Sequence, residues 1–290
     1  MIKESRGERS FQGFNYVLLT MVGLCMILPI VHVLAKSFSS ELALNQGRVS
    51  VFPVEFTLSN FAFVLSDSSV WQGFLVSVFV TVVGTFINLI ATTSLAYPLS
   101  RPEYIGRRYL LLMVLVTFIF SAPLIPNYLL IKNLGLLDTV WSLIIPGMIS
   151  AYNLFIMRSF FSGLPGELVD SGRIDGCGEM RLIWSIVLPL SKPVMATMGL
   201  FYAVAHWNSY SNALYYINNR NLFPLQVRLR EIVITDNFGE MTSTFENTLN
   251  ISPEGIKMAV IVVATVPILL IYPFLQKYFI KGMLIGSIKS

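Results

Sequence analysis

Charge is what this sequence has least of: 12% of its 290 residues are Asp, Glu, Lys or Arg, about half the share in a soluble domain. A water-exposed fold covers itself with polar side chains, whereas 54% of the residues here are hydrophobic. Acids are missing altogether from the long apolar runs, which hold none of the sixteen Asp and Glu. Cysteine is nearly absent. Cys25 lies in an apolar run and Cys177 in a polar segment, so neither a disulfide framework nor a zinc-ligand spacing is available. No G-x-x-x-x-G-K-[ST], H-E-x-x-H or G-x-S-x-G stretch occurs, which removes a phosphate-cradling loop, a zinc hydrolase helix and a nucleophile elbow. The net charge of +4 comes from short basic clusters between apolar runs, which excludes nucleic acid as an expected partner.

What is present is a succession of apolar runs. A window of about 19 residues marks six candidate spans, at 14–35, 72–98, 109–131, 139–157, 183–207 and 257–279. These make the chain an all-α polytopic membrane protein with six transmembrane helices in a single domain. The first run follows a basic segment, as a signal sequence does, but it is about 20 residues long and no convincing small-x-small cleavage site follows, so it reads as a retained span. The fifth carries Pro189, Lys192 and Pro193 near its start, which moves its membrane portion to begin near Pro193.

Orientation follows from the basic residues. Thirteen lie on one side: Lys3, Arg6, Arg9, Arg101, Arg107, Arg108, Arg158, Arg173, Arg181, Lys192, Lys277, Lys281 and Lys289. Seven lie on the other: Lys36, Arg48, Lys132, Arg220, Arg228, Arg230 and Lys257. Both termini are therefore expected in the cytoplasm, with 158–189 a cytoplasmic loop and 36–71 and 208–256 facing outward. The last of these is far longer than a connection needs.

An ion-coupled transporter keeps ionisable groups at membrane depth. Here the titratable groups near the spans, His32, Lys192 and His206, fall toward their ends, where they read as interfacial. Self-powered transport and intramembrane catalysis both lack residues. If the chain moves a solute, the energy arrives from a partner, and this chain itself binds no cofactor.

The cytoplasmic loop is the segment that lipid does not explain. Pro165 suits a helix start, Glu167 and Asp170 fall where the helix dipole favours acids, and Gly176 suits a left-handed stop. A short helix is expected to about Ile174, with Leu168 and Val169 on one side. A second runs from Glu179 to Val187 and is closed by Leu188-Pro189. Two such helices form a protruding knob fit for a docking partner; an ordinary solvated loop is the alternative.

The same segment resembles the E-A-A-x-x-x-G-x(9)-I-x-L-P signature of permease subunits in binding-protein-dependent ABC importers. Asp170, Ser171 and Gly172 stand at the E-A-A positions, Gly176 at the glycine, and Ile186, Leu188 and Pro189 close it after nine residues. Three positions depart from the signature: Asp for Glu, Ser for Ala and Gly for Ala, the last weakening the helix by about 1 kcal/mol. The stretches LIATTSLAYPLSRPEYIGRR, PLIPNYLLIKNLGLLDT and QKYFIKGMLIGSIKS are similar to the carbohydrate branch with its maltose-type second permease.

The resemblance implies a type I ABC importer permease fold in a bacterial inner membrane, paired with a second permease, two ATPase subunits and an extracytoplasmic solute-binding protein. ATP and Mg would sit on the ATPases. Asp170 would meet a basic residue of an ATPase, Gly176 would hold the bend, and Leu168, Val169 and Met180 would fill a groove. The tail from Gly282 would reach the ATPases or simply fray.

On the outer side Trp207, Asn208, Tyr210, Asn212, Tyr215 and Tyr216 suit a sugar, by stacking and amide hydrogen bonds, or form an interfacial aromatic belt. Asn88, Asn127, Tyr152 and Asn153 are further candidates to line a pathway, although polar residues in membrane helices also pack against one another. The leading expectation is a permease for an oligosaccharide or polysaccharide fragment. A permease for a polyol phosphate or lipopeptide-like solute, and a membrane scaffold recruiting a cytosolic protein, are the rivals.

Overall fold

The computed structural model describes residues 6–234 and 252–287, and within these every regular element is helical. The chain divides into two compact units, one of residues 1–70 with 229–266 and one of 71–228 with 267–290.

The first unit contains α1 (Arg6–Ser37), α2 (Glu41–Asn45), α3 (Ser59–Ser66) and the start of the last helix, α14 (Pro253–Ser287). At 32 residues α1 is about 48 Å long, well beyond the ~30 Å hydrocarbon core. It is apolar on every face, and residues 11–30 are exposed apart from Gly23. A helix of that kind belongs in lipid or against another membrane chain.

The end of α1 meets the beginning of α14 through polar contacts. Lys36 pairs with Glu254 at 2.6 Å, and Asn60 donates to the carbonyls of Ser37 and Ser39 at 3.0 and 3.1 Å. Gly255 lets the backbone close on Asn60, since a Cβ there would sit 2.7 Å from the amide. The C-terminal end of α1 and the N-terminal end of α14 therefore lie at one level.

The second unit is built on α4 (Ser68–Ser100). Gly73, Ser77, Val80, Gly84, Asn88, Thr92 and Ala96 are all buried and recur every three or four residues, so they form one stripe along the helix. The glycines admit close neighbours. A Cβ on Gly84 would lie 2.6 Å from His206 Nε2, and one on Gly73 3.1 Å from Arg228 Cγ. The polar members bond across: Ser77 Oγ accepts from the Leu225 amide at 2.8 Å, and Thr92 pairs with the Tyr202 hydroxyl at 2.6 Å.

Two apolar clusters flank this polar middle. One joins Ala96, Tyr97 and Leu99 to Leu154, Met157, Phe161, Val187, Val194 and Met198. The other joins Val80 to Leu143, Ile144, Ala213, Ile217 and Val227.

Three helical stretches among the described residues are long and apolar enough to cross a membrane, Phe11–Ser37, Ser68–Ser100 and Pro253–Leu270. They correspond to the first, second and sixth expected spans. The third and fourth are not single helices. α5 (Arg107–Ile119) reaches only about 20 Å, because Phe120 and Pro123 are extended before α6 (Leu124–Asn133) begins. Pro123 disfavours helical backbone at Ala122, and that breaks the run. In the next run a 3₁₀ turn, Val140–Leu143, precedes Pro146 and Gly147, and α7 (Ala151–Ser162) starts only after Ser150 caps it by accepting from the Asn153 amide.

The fifth expected span is bent by 85° between Glu179–Leu190 and Lys192–Trp207. Its membrane part is thus α11 (Lys192–Trp207), which has Pro193 in its first turn. After it come α12 (Ser211–Tyr216), a short 3₁₀ turn and α13 (Leu225–Ile234). Much of the expected outer loop 208–256, and the last three residues of the tail, lie outside the described residues.

The Gly84 contact gives a direct test of the stripe. Gly84→Val should lower thermal stability of the detergent-purified protein by about 1–3 kcal/mol, since the buried imidazole ring has little room to move. Gly23→Val, on the open face of α1 with nothing within 4 Å, should leave the melting temperature nearly unchanged.

Candidate functional site

Two places gather functional side chains, both in the second unit. The first is the helical hairpin at 165–190. Pro165 adopts an extended conformation and α8 (Gly166–Ile174) begins after it, with Glu167 in the first turn. The helix ends in a paired C-terminal motif: Gly176 N–H donates to Arg173 O and Cys177 N–H to Gly172 O, each at 3.0 Å. Gly176 has φ +77°, the left-handed conformation that glycine adopts without strain.

From Gly178 the chain turns back through α9 (Glu179–Leu182), a π turn over Ile183–Val187 and α10 (Leu188–Leu190). Gly172 lies under this return: a Cβ there would be 2.6 Å from Leu182 Cδ2 and 2.8 Å from Ile186 Cδ1. Its departure from alanine therefore serves packing and does more than loosen α8.

An ion pair braces the hairpin. Arg173 donates through Nε and Nη2 to Glu179 Oε1 at 3.1 and 2.9 Å, which together with the carboxylate charge raises the arginine pKa. Glu179 Oε2 accepts from the Tyr97 hydroxyl on α4 at 3.3 Å, and the Arg101 guanidinium lies 5.0 Å from the centre of the Tyr97 ring. Glu103 and Asp170 lie within 4.0 Å of Arg173 Nη1. These side chains are partly solvated, so the pairs contribute geometry more than stability.

Expectation and structure part on individual faces. Leu168 and Met180 are exposed, at 43% and 73%, as a docking crest requires. Val169 is only 3% exposed. It packs inside its own chain and cannot fill a partner's groove, because a helix of nine residues turns one face inward and Val169 falls on that face. Asp170 and Ser171 are exposed, Ile186 is half-buried on Gly172, and Leu188 and Pro189 lie on the return helix. The sequence reading missed Ile174 and Trp184, exposed at 86% and 65%, and the Arg173–Glu179–Tyr97 brace. Large apolar residues in a polar loop were the available sign of the first two.

The second place is a cavity of about 720 Å³ between α4, α7, α11 and the 143–150 segment. Asn88, Ser150, Asn153, Tyr202 and His206 supply polar groups, and Tyr152, Leu200 and Phe201 supply apolar faces. Asn88 Nδ2 lies 3.0 Å from His206 Nε2, while among the described residues nothing donates to the buried Asn88 Oδ1. The Tyr202 hydroxyl accepts from the Ser150 amide at 3.1 Å. Tyr152 stands half open at the rim, its ring tilted on Phe201.

Of the residues expected to meet the solute, Asn88, Tyr152, Asn153 and Asn212 come together here. Asn127 instead donates back to Ala122 O in the break before α6. Trp207 is buried edge-to-face on Phe74, and Asn208 donates back to Val204 O. His206, read as interfacial, is buried against Asn88 because Gly84 leaves room for its ring.

Arg173→Ala should increase hydrogen exchange across 166–178 severalfold while moving the melting temperature little, since the pair is solvated. An unchanged exchange pattern would show that packing on Gly172 alone holds the hairpin.

The chain is similar to several known proteins along nearly its whole length. Over 289 residues it is 47% identical to Protein LplC of Bacillus subtilis (strain 168), covering 99% of this chain and 97% of that protein. It is 43% identical to the polygalacturonan/rhamnogalacturonan transport system permease protein YtcP of the same organism, covering 98% and 99%. A chain from the crystal structure of a bacterial ABC transporter involved in the import of the acidic polysaccharide alginate superposes with a TM-score of 0.92 at 34% identity, covering 96% of this chain and all of that one. Residues 85–285, which hold both the braced hairpin and the polar cavity, match the family described as binding-protein-dependent transport system inner membrane component, and the chain belongs to that family.

Proposed function

We propose that the chain is the permease subunit of an ATP-driven importer that receives an oligosaccharide or polysaccharide fragment from a solute-binding protein. The observation that carries this reading is the braced hairpin, which presents Leu168, Ile174, Met180 and Trp184 to solvent while remaining bonded to α4. A crest of exposed apolar side chains on a rigid mount suits a partner that pushes. In this reading the partner is a separate ATPase, which binds ATP and Mg and does the hydrolysis; this chain is not an enzyme. Asp170, exposed at the same crest, would meet a basic group there.

The membrane-spanning core is a single domain of six spans, two of them broken, with both termini cytoplasmic. Loops assigned to one side touch one another, which supports that topology. Asp138 accepts from the amides of Asn218 and Asn219 at 2.9 and 2.7 Å, joining two outer loops, and the Tyr97–Glu179 bond joins the expected cytoplasmic end of α4 to the cytoplasmic hairpin. The exposed α1 suits a second permease, and a pair of permeases would frame the pathway between them.

The cargo assignment draws on the relatives, two of which are named for polysaccharide transport. The cavity supports it. Among the described residues its lining carries amides, hydroxyls, an imidazole and two aromatic faces but no carboxylate, lysine or arginine, a set that hydrogen-bonds hydroxyls and stacks on sugar rings. A polyol phosphate would call for a cation in that lining.

Affinity purification of the chain from its native membranes should recover an ATPase and a second permease in stoichiometric amounts. The triple substitution Leu168→Ser, Met180→Ser, Trp184→Ser should release the ATPase and keep the second permease. Recovery of an unrelated cytosolic protein would favour a scaffold instead. In reconstituted vesicles Gly176→Val should cut transport severalfold with insertion intact, because a β-branched residue at φ +77° costs about 1–2 kcal/mol; Gly176→Asn should recover part of it.

A further inference from the structure

A second cleft, of about 630 Å³, opens between α5 and α7 and belongs to neither site above. Arg107, Arg108 and Arg158 gather at one end of it. Among the described residues no carboxylate lies within the 4.0 Å of an ion pair with any of the three. Arg158 is fixed in place by its Nε, which donates to Leu99 O at 3.0 Å, and it lines the cleft. Burial and then the charge of Arg107 lower the Arg158 pKa, as two nearby like charges require.

Beyond the arginines the wall turns apolar. Leu111, Leu112, Leu115 and Phe155 line it, with Leu112 and Leu115 exposed at 50% and 40%. Phe118 and Phe155 meet edge-to-face at 6.3 Å and close the far end of the α5–α7 contact. Tyr104 and Tyr109 stand at the charged rim, the place aromatic residues take at a membrane–water boundary. α5 starts at the same rim, and Gly106 offers no side-chain cap to its first amides, which adds donors for an anion.

We infer that this cleft binds an anionic phospholipid, its phosphodiester against Arg107, Arg108 and Arg158 and its acyl chains along Leu111, Leu112, Leu115 and Phe155. The combination selects the ligand. A free phosphate would satisfy the arginines and leave the leucine wall bare, and a zwitterionic lipid would fill the wall but bring a cation to the guanidiniums. Basic pockets between membrane helices take anionic headgroups for this reason. The site requires only that α5 and α7 sit in a membrane, so it stands apart from the cargo and coupling readings.

The test uses the full chain, delipidated in a neutral detergent, with phosphatidylglycerol or phosphatidylcholine of matched acyl chains added back. Native mass spectrometry should show one phosphatidylglycerol retained per chain, with a raised melting temperature, and little phosphatidylcholine. Arg107→Gln with Arg108→Gln should weaken phosphatidylglycerol retention by roughly 30-fold, while Arg107→Lys with Arg108→Lys keeps most of it and Arg181→Gln all of it. Equal retention of the two lipids overturns the inference, and so does retention unchanged in the double glutamine variant. Stabilisation by inorganic phosphate matching that by the lipid would assign the arginines to a small anion and overturn it as well. The contrast between the two lipids on the unmodified chain does not depend on any variant folding.

Discussion

Lipid tails are as apolar as leucine, so burying leucine between two membrane helices gains little that the bilayer does not already provide. What draws helices together there is close packing and polar contact, and α4 is built for both. Its buried stripe brings glycines to the positions where His206 and Arg228 press against the backbone. Along the same stripe it brings hydroxyls and an amide that bond to α11 and to the start of α13. Everything else in the second unit is arranged around that seam. The apolar clusters close it at both ends, and the cavity lies where its polar members leave it open.

That polar middle is incompletely satisfied. Asn88 turns its Nδ2 toward His206, and among the described residues nothing donates to its buried Oδ1. In the proposed cycle of alternating access, such a group has a use. It is an acceptor that a hydroxyl of the cargo, or a rearranged neighbour, can satisfy in another state. An apolar residue at position 88 would pack the seam more tightly and take away that option.

Punctuation was legible in the sequence and three-dimensional facing was not. Pro165, Gly176 and Pro193 each mark a helix start or stop where the residue type allows few alternatives, and the structure places the boundaries there. The breaks near Pro123 and Pro146 were equally visible as residues. They were lost because a hydropathy window sums apolar character and is blind to backbone compatibility, so 109–131 and 139–157 read as continuous. Val169 was misplaced because nine residues of α8 leave its rotation to tertiary contacts, namely the return helix over Gly172. Tyr97 and Glu179 stand 82 residues apart, and His206 and Asn88 118 apart. No local pattern announces such pairs. The cavity set was half legible, since amide and aromatic residues identify candidates but only helix rotation separates Asn153, which lines the space, from Asn127, which does not.

The hairpin and the cavity are connected by two elements. Tyr97, which holds Glu179, lies nine residues along α4 from Asn88, a separation of about 14 Å on a rigid helix. On the other side, the return helix of the hairpin meets α11 across the 85° bend at Ser191, and α11 carries Tyr202 and His206 into the cavity. A push on the hairpin therefore reaches the cavity along both walls at once. Because Asn88–His206 and Thr92–Tyr202 are the bonds that bridge those walls, a relative tilt of α4 and α11 has to break or exchange them. Packed helices have few intermediate arrangements between one set of such bonds and another. In the proposed cycle this seam is where motion of an ATPase becomes a change in which side the cavity faces.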